Sequence, residues 1–271
     1  MGKHRSINTF SSVSRKISQG YGRGNGMSYK PWLSGHEFAS NGMYVRLIGR
    51  TVPRIYRFMS RLEADAFIIY DCIPEVQDIL EQYYLTLEET LEIADQLRIR
   101  HPYSGRYYNP LTTDLLILKD NTWLARAVKT SADLENRRVI EKLEIERIYY
   151  QRLGIDWKII TEKQLDRHVI QNLDWLWYSG EPESAFANKQ LLEEAESVFH
   201  ELYMEETIPF PSLIDRIESL YSLAPGSGIC IFRSLIRKGV ITIDLSQPIN
   251  MSDPCHPITR RNPDERYHSY S

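Results

Sequence analysis

The most informative stretch of this 271-residue chain is residues 113–129, which read TDLLILKDNTWLARAVK. Two apolar runs, at 115–118 and 123–128, flank the polar residues 119–122. Apolar runs separated by a short turn that contains Asp and Asn are typical of a tight β-hairpin. The stretch therefore predicts a buried hairpin, which places a β-sheet in this part of the chain.

The register of this hairpin brings two charged side chains together. If Asp120 and Asn121 form a two-residue loop, Asp114 pairs opposite Ala127. Because side chains alternate along a strand, Asp114, Ala127 and Lys129 share one face while their apolar neighbours point into a core. The sequence thus predicts a carboxylate and an ammonium at one end of the hairpin.

The surrounding pattern predicts an α/β domain. Residues 44–58 are expected to form another hairpin, and residues 60–63 (Ser-Arg-Leu-Glu) carry the capping-box pattern that begins a helix. Further along, spacing predicts a short strand at 76–79, helices at 86–97 and 133–152, and a buried strand at 157–161. Glu63, in the first turn of the capped helix, can join the charged pair on the hairpin.

From about residue 162 the pattern becomes helical. Helices are predicted at 164–178, 188–204, 212–220 and 228–238, followed by a strand at 240–245. Three helices followed by a helix and a strand is the outline of a winged-helix module. We therefore divide the chain into an α/β domain at 1–163, a mostly helical winged-helix-like domain at 164–250, and a Pro-rich tail at 251–271.

The net charge of −3 conceals an asymmetry. Residues 1–60 contain ten Lys or Arg and one acidic residue, whereas the remainder contains 23 basic and 35 acidic residues. A cationic arm, predicted as flexible over 1–30, suggests contact with a polyanion, although a solvated basic tail would show the same pattern. The Gly-rich stretch 20–26 in this arm does not have the spacing of a phosphate-binding loop.

The bulk composition favours a soluble cytoplasmic protein. The chain is 42% hydrophobic and 25% charged, which allows a sizeable core. Its three cysteines are far apart and include no Cys-x-x-Cys pair, and no run of about 18 apolar residues occurs. These features predict a reducing compartment and exclude a membrane-spanning class.

Glu63, Asp114 and Lys129 are residue types that suit phosphodiester hydrolysis. Mg²⁺ prefers oxygen ligands and needs only one or two carboxylates, a role for Glu63 and Asp114. The carbonyl of Val128 is a candidate third ligand, and Lys129 can orient the attacking water or hold the scissile phosphate. Each also has a structural explanation: Glu63 as a capping residue, Asp114 as an acceptor at a strand start, and Lys129 as a strand-end lysine.

The order of Glu63, Asp114 and Lys129 across a helix and a hairpin resembles the PD-(D/E)xK arrangement of restriction endonucleases. More specifically, residues 20–180 resemble TnsA, the endonuclease subunit of heteromeric cut-and-paste bacterial transposases. Four stretches carry this resemblance: residues 22–33, residues 62–83, Thr113-Asp114 with Val128-Lys129, and residues 141–161.

The resemblance implies a restriction-endonuclease-like mixed sheet flanked by helices. It also implies a Mg²⁺-dependent nuclease, with Mn²⁺ as a substitute, that cuts double-stranded DNA at the 5′ ends of a transposon. The implied partners are the transposase TnsB, which cuts and joins the 3′ ends, and the ATP-dependent regulator TnsC, which contacts the C-terminal domain. The catalytic roles fall on Glu63, Asp114 and Lys129. Glu146 is a candidate to support the site or a second metal, or an ordinary helix-surface residue.

One position departs from the family pattern. Motifs of this type usually carry Glu, Asp or Gln two residues before the lysine, where this chain has Ala127. Three explanations are open: two carboxylates and a carbonyl suffice as ligands, Glu144 or Glu146 compensates, or partners complete the site. A non-catalytic architectural subunit and a free-standing restriction-type nuclease are the alternative functions.

The charge of the C-terminal part favours a protein partner. Residues 165–271 hold nine basic and sixteen acidic residues, which argues against phosphate binding over the whole face. Arg233, Arg237 and Lys238 nevertheless cluster on the predicted fourth helix, where a DNA-recognition helix would lie. Basic residues in a last helical turn also suit the helix dipole, so local DNA contact stays open.

Overall fold

The computed structural model describes residues 10–33, 44–104, 107–178, 189–205 and 208–251. The chain divides into two compact units, residues 1–166 and 167–271. The first is a mixed α/β unit and the second is helical, which confirms the predicted fold class. Within the described ranges, no helix is both long and apolar enough to cross a lipid bilayer.

The first unit alternates helices with short and long strands. Its helices are α1 (Phe10–Ser18), α2 (Arg61–Asp71), α3 (Leu87–Gln96) and α4 (Arg137–Leu153). Its strands are β1 (Val45–Ile48), β2 (Ile55–Phe58), β3 (Val76–Tyr84), β4 (Tyr103–Ser104), β5 (Tyr107–Tyr108), β6 (Thr112–Lys119), β7 (Thr122–Val128) and β8 (Asp156–Ile160). Single 3₁₀ turns lie at Gly26–Ser28 and Asp133–Glu135.

The central sheet has the strand order β3-β6-β7-β8. β3, β6 and β7 are antiparallel neighbours, and β8 runs parallel to β7. A parallel neighbour requires a crossover connection, which α4 provides between β7 and β8. The strands β1 and β2 form a separate hairpin, as do β4 and β5.

The β6–β7 hairpin confirms the predicted two-residue loop. Lys119 pairs with Thr122, and the loop residues Asp120 and Asn121 have φ angles of +48° and +60°. Positive φ at both central positions is the geometry of a type I′ turn, which Asp and Asn tolerate. The ladder ends with Leu115 opposite Arg126. The next residue of each strand at this end is Asp114 on β6 and Ala127 on β7.

Both faces of the sheet are covered. On one face Leu116 and Ala125 pack with Ile93 of α3 and Ile145 of α4. On the other face Arg126 is fully buried, and its Nε donates to the Tyr70 hydroxyl of α2 at 3.2 Å. The sheet is therefore a middle layer, and most residues of its inner strand β6 are screened from water.

β3 is longer than the predicted strand at 76–79. Its second half contains Glu81 and Gln82, which are buried and which interrupt any apolar alternation in the sequence. Glu81 is neutralised by Arg54, whose Nη1 lies 2.9 Å from Oε1. The ion-pair partner of Glu81 thus comes from the β1–β2 hairpin, 27 residues earlier in the chain.

The predicted flexible arm contains a packed helix instead, at least from residue 10 onwards. Val13 of α1 is buried, and Lys16 donates from Nζ to the carbonyl of Trp32 at 2.7 Å. Trp32 stacks on Tyr84 of β3, with ring centroids 4.3 Å apart. A Cβ on Gly22 would lie 2.6 Å from the Cβ of Tyr84, so glycine is required for this close approach.

The second unit is built from α5 (Arg167–Leu173), a π-helical turn (Asp174–Tyr178), α6 (Lys189–Met204), α7 (Phe210–Leu220) and α8 (Ser227–Arg237). Phe199, Phe210 and Phe232 bring α6, α7 and α8 into one apolar cluster. The prediction of a strand at 240–245 is wrong. Ile241 and Ile243 join the cluster as buried side chains without strand pairing, because the described part of this unit contains no other strand to pair with.

Some predictions lie outside the described residues. They concern residue 188 at the start of the helix predicted at 188–204, the first nine residues of the arm, and the tail apart from Met251.

Candidate functional site

The predicted site residues come together where the N-terminus of α2 meets the ends of β6 and β7. α2 contributes Glu63, β6 contributes Asp114, and Lys129 follows the last residue of β7. Their side chains are linked directly or through Gln82 of β3 by hydrogen bonds. Residues that are 15 to 66 positions apart in the sequence therefore form one polar cluster in the first unit.

Asp114 is the centre of this cluster. Its Oδ2 accepts hydrogen bonds from the backbone N–H of Val128 at 2.7 Å and from Lys129 Nζ at 2.5 Å. Lys129 Nζ also donates to the carbonyl of Val128 at 2.8 Å. Beyond the last ladder pair of β6 and β7, the Val128 N–H thus donates to the Asp114 carboxylate and not to a backbone carbonyl. The same carboxylate oxygen also binds the Lys129 ammonium.

Glu63 caps α2 and also contacts the polar cluster. As a capping residue, its backbone N–H donates to Ser60 Oγ at 3.1 Å, and its Oε2 accepts from the Met59 N–H at 3.0 Å. The same Oε2 accepts from Gln82 Nε2 at 3.2 Å, and this nitrogen also lies 3.5 Å from Asp114 Oδ1. Burial and the nearby Asp114 charge raise the pKa of Glu63 to about 7.

Lys129 holds its charge in this environment. Burial alone would lower the pKa of its ammonium, but the charge of Asp114 and the hydrogen bond to it outweigh burial, so the pKa is raised. The ammonium therefore stays protonated at neutral pH. It bridges Asp114 Oδ2 and the Val128 carbonyl, which belong to two of the three groups suggested as metal ligands, so these atoms already bind one positive charge.

Glu146 of α4 is buried and does not lie on the helix surface, so the surface interpretation of this residue is wrong. Its Oε1 accepts from Thr113 Oγ1 at 2.8 Å. Burial and the Asp114 charge raise the pKa of Glu146 to about 7. Two carboxyl groups with raised pKa values beside a third carboxylate are an arrangement found more often at functional sites than elsewhere.

Glu144 cannot compensate for the alanine at position 127. Its carboxylate is partly exposed and is paired with Arg147, whose Nη2 lies 2.6 Å from Oε1. Ala127 is fully buried and has no polar side-chain atom. The position two residues before Lys129 therefore contributes no ligand in this protein.

Gln82 is the site residue that the sequence analysis missed. It is buried, its Nε2 lies 3.2 Å from Glu63 and 3.5 Å from Asp114, and its Oε1 accepts from Thr112 Oγ1 at 3.0 Å. Its φ angle of +49° lies in the left-handed region, which is uncommon for a residue other than glycine. No local motif marks this glutamine, because its contacts come from a different helix and a different strand.

The donor atoms in the cluster suit a hard cation. Glu63, Asp114, Gln82 and the Val128 carbonyl all offer oxygen, the element that Mg²⁺ and Mn²⁺ prefer. Among the residues that the structure describes, no group of three or more His, Cys, Asp and Glu is arranged to hold a metal. The donors that the cluster itself offers are thus the two carboxylates and neutral oxygens.

Arg233 and Arg237 of α8, and Lys238 directly after it, make contacts inside the second unit. Arg233 is buried, and Arg237 donates from Nε to the carbonyl of Leu176 at 2.7 Å. Lys238 Nζ lies 2.6 Å from Glu196 Oε2 of α6. The clustering predicted from the sequence is real, but its charges hold α8 against neighbouring elements instead of forming an open phosphate-binding row.

Comparison with known proteins identifies the family of this chain. Residues 73–162 match the family model described as TnsA-like endonuclease N terminal, and residues 164–245 match the model described as TnsA endonuclease C terminal. The chain is also 31% identical over 248 residues to the Escherichia coli protein named Transposon Tn7 transposition protein TnsA, covering 90% of each chain. The predicted resemblance is confirmed, and the chain belongs to the TnsA endonuclease family.

Proposed function

We propose that this protein hydrolyses the 5′-end strands of a transposon, as a Mg²⁺-dependent endonuclease subunit of a multi-protein transposase. The observation that carries the proposal is the convergence of Glu63, Asp114 and Lys129 within one hydrogen-bonded cluster. Membership of an endonuclease family and the name of the Escherichia coli relative support DNA at transposon ends as the substrate.

Each residue of the cluster has a chemical role in this proposal. Glu63, Asp114 and the Val128 carbonyl would hold Mg²⁺, or Mn²⁺ in its place. When bound, the cation would neutralise charge that develops on the phosphate and would favour deprotonation of a water. The Lys129 ammonium, which keeps its proton, would orient that water or hold the scissile phosphate. Glu146 would support the site through Thr113.

We also propose a division of roles along the chain. Residues 1–163 would be the nuclease domain and residues 164–250 the domain that binds partners, with 251–271 as a tail. The two compact units and the two separate family matches support a division near this position. TnsB would cut and join the 3′ ends, and TnsC would bind the C-terminal domain. Arg233, Arg237 and Lys238 make contacts within the second unit, which favours a protein over DNA as the partner of the C-terminal domain.

The direct test is strand cleavage of end-labelled transposon-end DNA with Mg²⁺, with and without the transposase and regulator. Asp114→Asn keeps an oxygen for the Val128 N–H but removes the negative charge, so it should abolish 5′ cuts while the chain stays folded. Asp120→Asn, at the exposed tip of the same hairpin, is the matched control and should cut like wild type. Normal cleavage by Asp114→Asn would disprove the site.

A non-catalytic architectural subunit is the second candidate, and Ala127 is the observation in its favour. A site that lacks a polar side chain at this position has fewer ligands for a cation. The same cleavage assay separates the two candidates. If wild type makes no 5′ cuts in an assembly whose transposase still cuts the 3′ ends, the architectural role is the better account.

A further inference from the structure

We propose that Gln82 is a further metal-binding residue of this site, supplying through its side-chain oxygen the ligand that position 127 cannot supply. The inference rests on the proposed function, because it requires a divalent cation between Glu63 and Asp114. It assigns a specific role to a residue outside the three that the sequence pattern identified.

The position of Gln82 is set by two strands and a helix. In the β3–β6 ladder it stands between the pairs formed by Glu81 with Leu115 and by Tyr83 with Thr113, directly opposite Asp114. Its carboxamide reaches both carboxylates of the cluster: Nε2 lies 3.2 Å from Glu63 Oε2 and 3.5 Å from Asp114 Oδ1. Two buried carboxylates on either side of the carboxamide would attract a cation to this position.

The carboxamide can present either of its ends to that position. With Nε2 toward the carboxylates, Oε1 accepts from Thr112 Oγ1 at 3.0 Å. If the amide is turned over, Oε1 faces the carboxylates and Nε2 can donate to the Thr112 hydroxyl, since a hydroxyl both donates and accepts. Both orientations satisfy the amide. A cation next to Glu63 and Asp114 would favour the second orientation, with the oxygen toward the metal.

The backbone of β3 is distorted at this residue. Gln82 has a φ of +49°, and the alternation of side chains is interrupted there: Leu80 and Tyr83, three positions apart, pack against the same apolar cluster. In a regular strand, residues three apart point to opposite faces. Left-handed backbone at a residue other than glycine is unfavourable and is concentrated at functional sites. Here the distortion aims the Gln82 side chain at the two carboxylates.

The remaining side chains leave this role to Gln82. Glu146 is engaged with Thr113, and Glu144 with Arg147. The described residues provide no cluster of three acidic, His or Cys ligands. The Gln82 side-chain amide makes hydrogen bonds to both Glu63 and Asp114, and it reaches them from β3, whereas Ala127 lies on β7.

The experiment measures Mn²⁺ binding by the full chain, using electron paramagnetic resonance to count free Mn²⁺, without DNA or turnover. Gln82→Met removes the amide at similar volume and should weaken Mn²⁺ binding by about tenfold or more. Gln82→Glu keeps an oxygen and should bind Mn²⁺ at least as tightly as wild type. Gln77→Met, which removes another glutamine of β3 that contacts Asn121 at the far end of the strand, is the matched control and should bind like wild type.

The outcomes separate this inference from the proposed function. If wild type binds no more Mn²⁺ than Asp114→Asn, the metal site itself is wrong. If wild type binds but Gln82→Met binds equally well, only the role of Gln82 is wrong. If Gln82→Glu is as weak as Gln82→Met, the residue acts by shape and not through its oxygen, which also overturns the inference. Should Gln82→Met fail to fold, Gln82→Glu decides alone: it should bind Mn²⁺ at least as tightly as wild type, and weaker binding refutes the role.

Discussion

Glu146 provides a quantitative test of the electrostatics of this site. Its carboxyl group is buried beside Asp114, and these surroundings raise its pKa from 4.5 to about 7. Glu146→Gln removes the charge and keeps an oxygen that can accept from Thr113 Oγ1. We expect the substitution to stabilise the folded protein at alkaline pH, because an ionised Glu146 is disfavoured there by burial and by a like charge.

The magnitude follows from the difference between the folded and unfolded pKa values. A shift from 4.5 to about 7 corresponds to about 3 kcal/mol, at ~1.4 kcal/mol per unit. Because the pKa of Glu146 is higher in the folded state, the wild type has its full stability below pH 4.5, where this carboxyl is protonated in both states. It loses about this free energy as the pH rises through 7. Glu146→Gln should therefore match wild type near pH 4.5 and exceed it by up to about 3 kcal/mol at pH 8, or roughly 6–12 °C in Tm.

The assay is thermal unfolding of the full chain by circular dichroism at pH values between 4.5 and 8. Glu144→Gln is the matched control on the same helix: its carboxylate is partly exposed, and the hydrogen bond from Arg147 lowers its pKa. The control should show no gain at pH 8. A Tm for Glu146→Gln that is equal to or below wild type at pH 8 would refute the reasoning, and the buried carboxyl would then have to be stabilised by contacts that favour its charged form.

Three other predictions concern the site, the core and the second unit. Lys129→Ala should reduce cleavage by about 100-fold or more, since no other group replaces its ammonium; retained activity in the end-labelled DNA assay would remove the lysine from the mechanism. Arg54→Met should lower the free energy of unfolding in urea by about 3–5 kcal/mol, because Glu81 would stay buried without its partner; a loss below about 1 kcal/mol would contradict this. Deleting residues 164–271 should spare the nuclease fold but weaken capture of the regulator in a pull-down; unchanged capture would place that interface in the first unit.

Much of the candidate site was predictable because its signals are local. The capping box around Glu63 involves residues 59 to 63, and the loop at Asp120 and Asn121 determines which strand residues pair. These two local motifs place one carboxylate at a helix start and another at a hairpin end. The sequence could not show that the two motifs meet, since that depends on how α2 packs on the sheet.

The errors have a common physical origin. The predicted strand at 240–245 shows apolar alternation, but a strand also needs a partner with free backbone groups, and the described part of its unit offers none. The flexible arm was inferred from its polar composition. In the structure, α1 and the glycine turn are held by a few long-range contacts, among them Lys16 with Trp32 and Gly26 with Asp78.

The sequence by itself determined the α/β class of the first unit, the helical character of the second, the register of the β6–β7 hairpin and three residues of the candidate site. Each of these depends on periodicity or on hydrogen bonds between residues close in the chain. Only the tertiary structure decided the burial of Glu146, the internal use of the basic residues on α8, and the place of Gln82 between two carboxylates. These features depend on contacts between elements far apart in sequence, and the free energy of such contacts comes from packing and burial that local patterns do not encode.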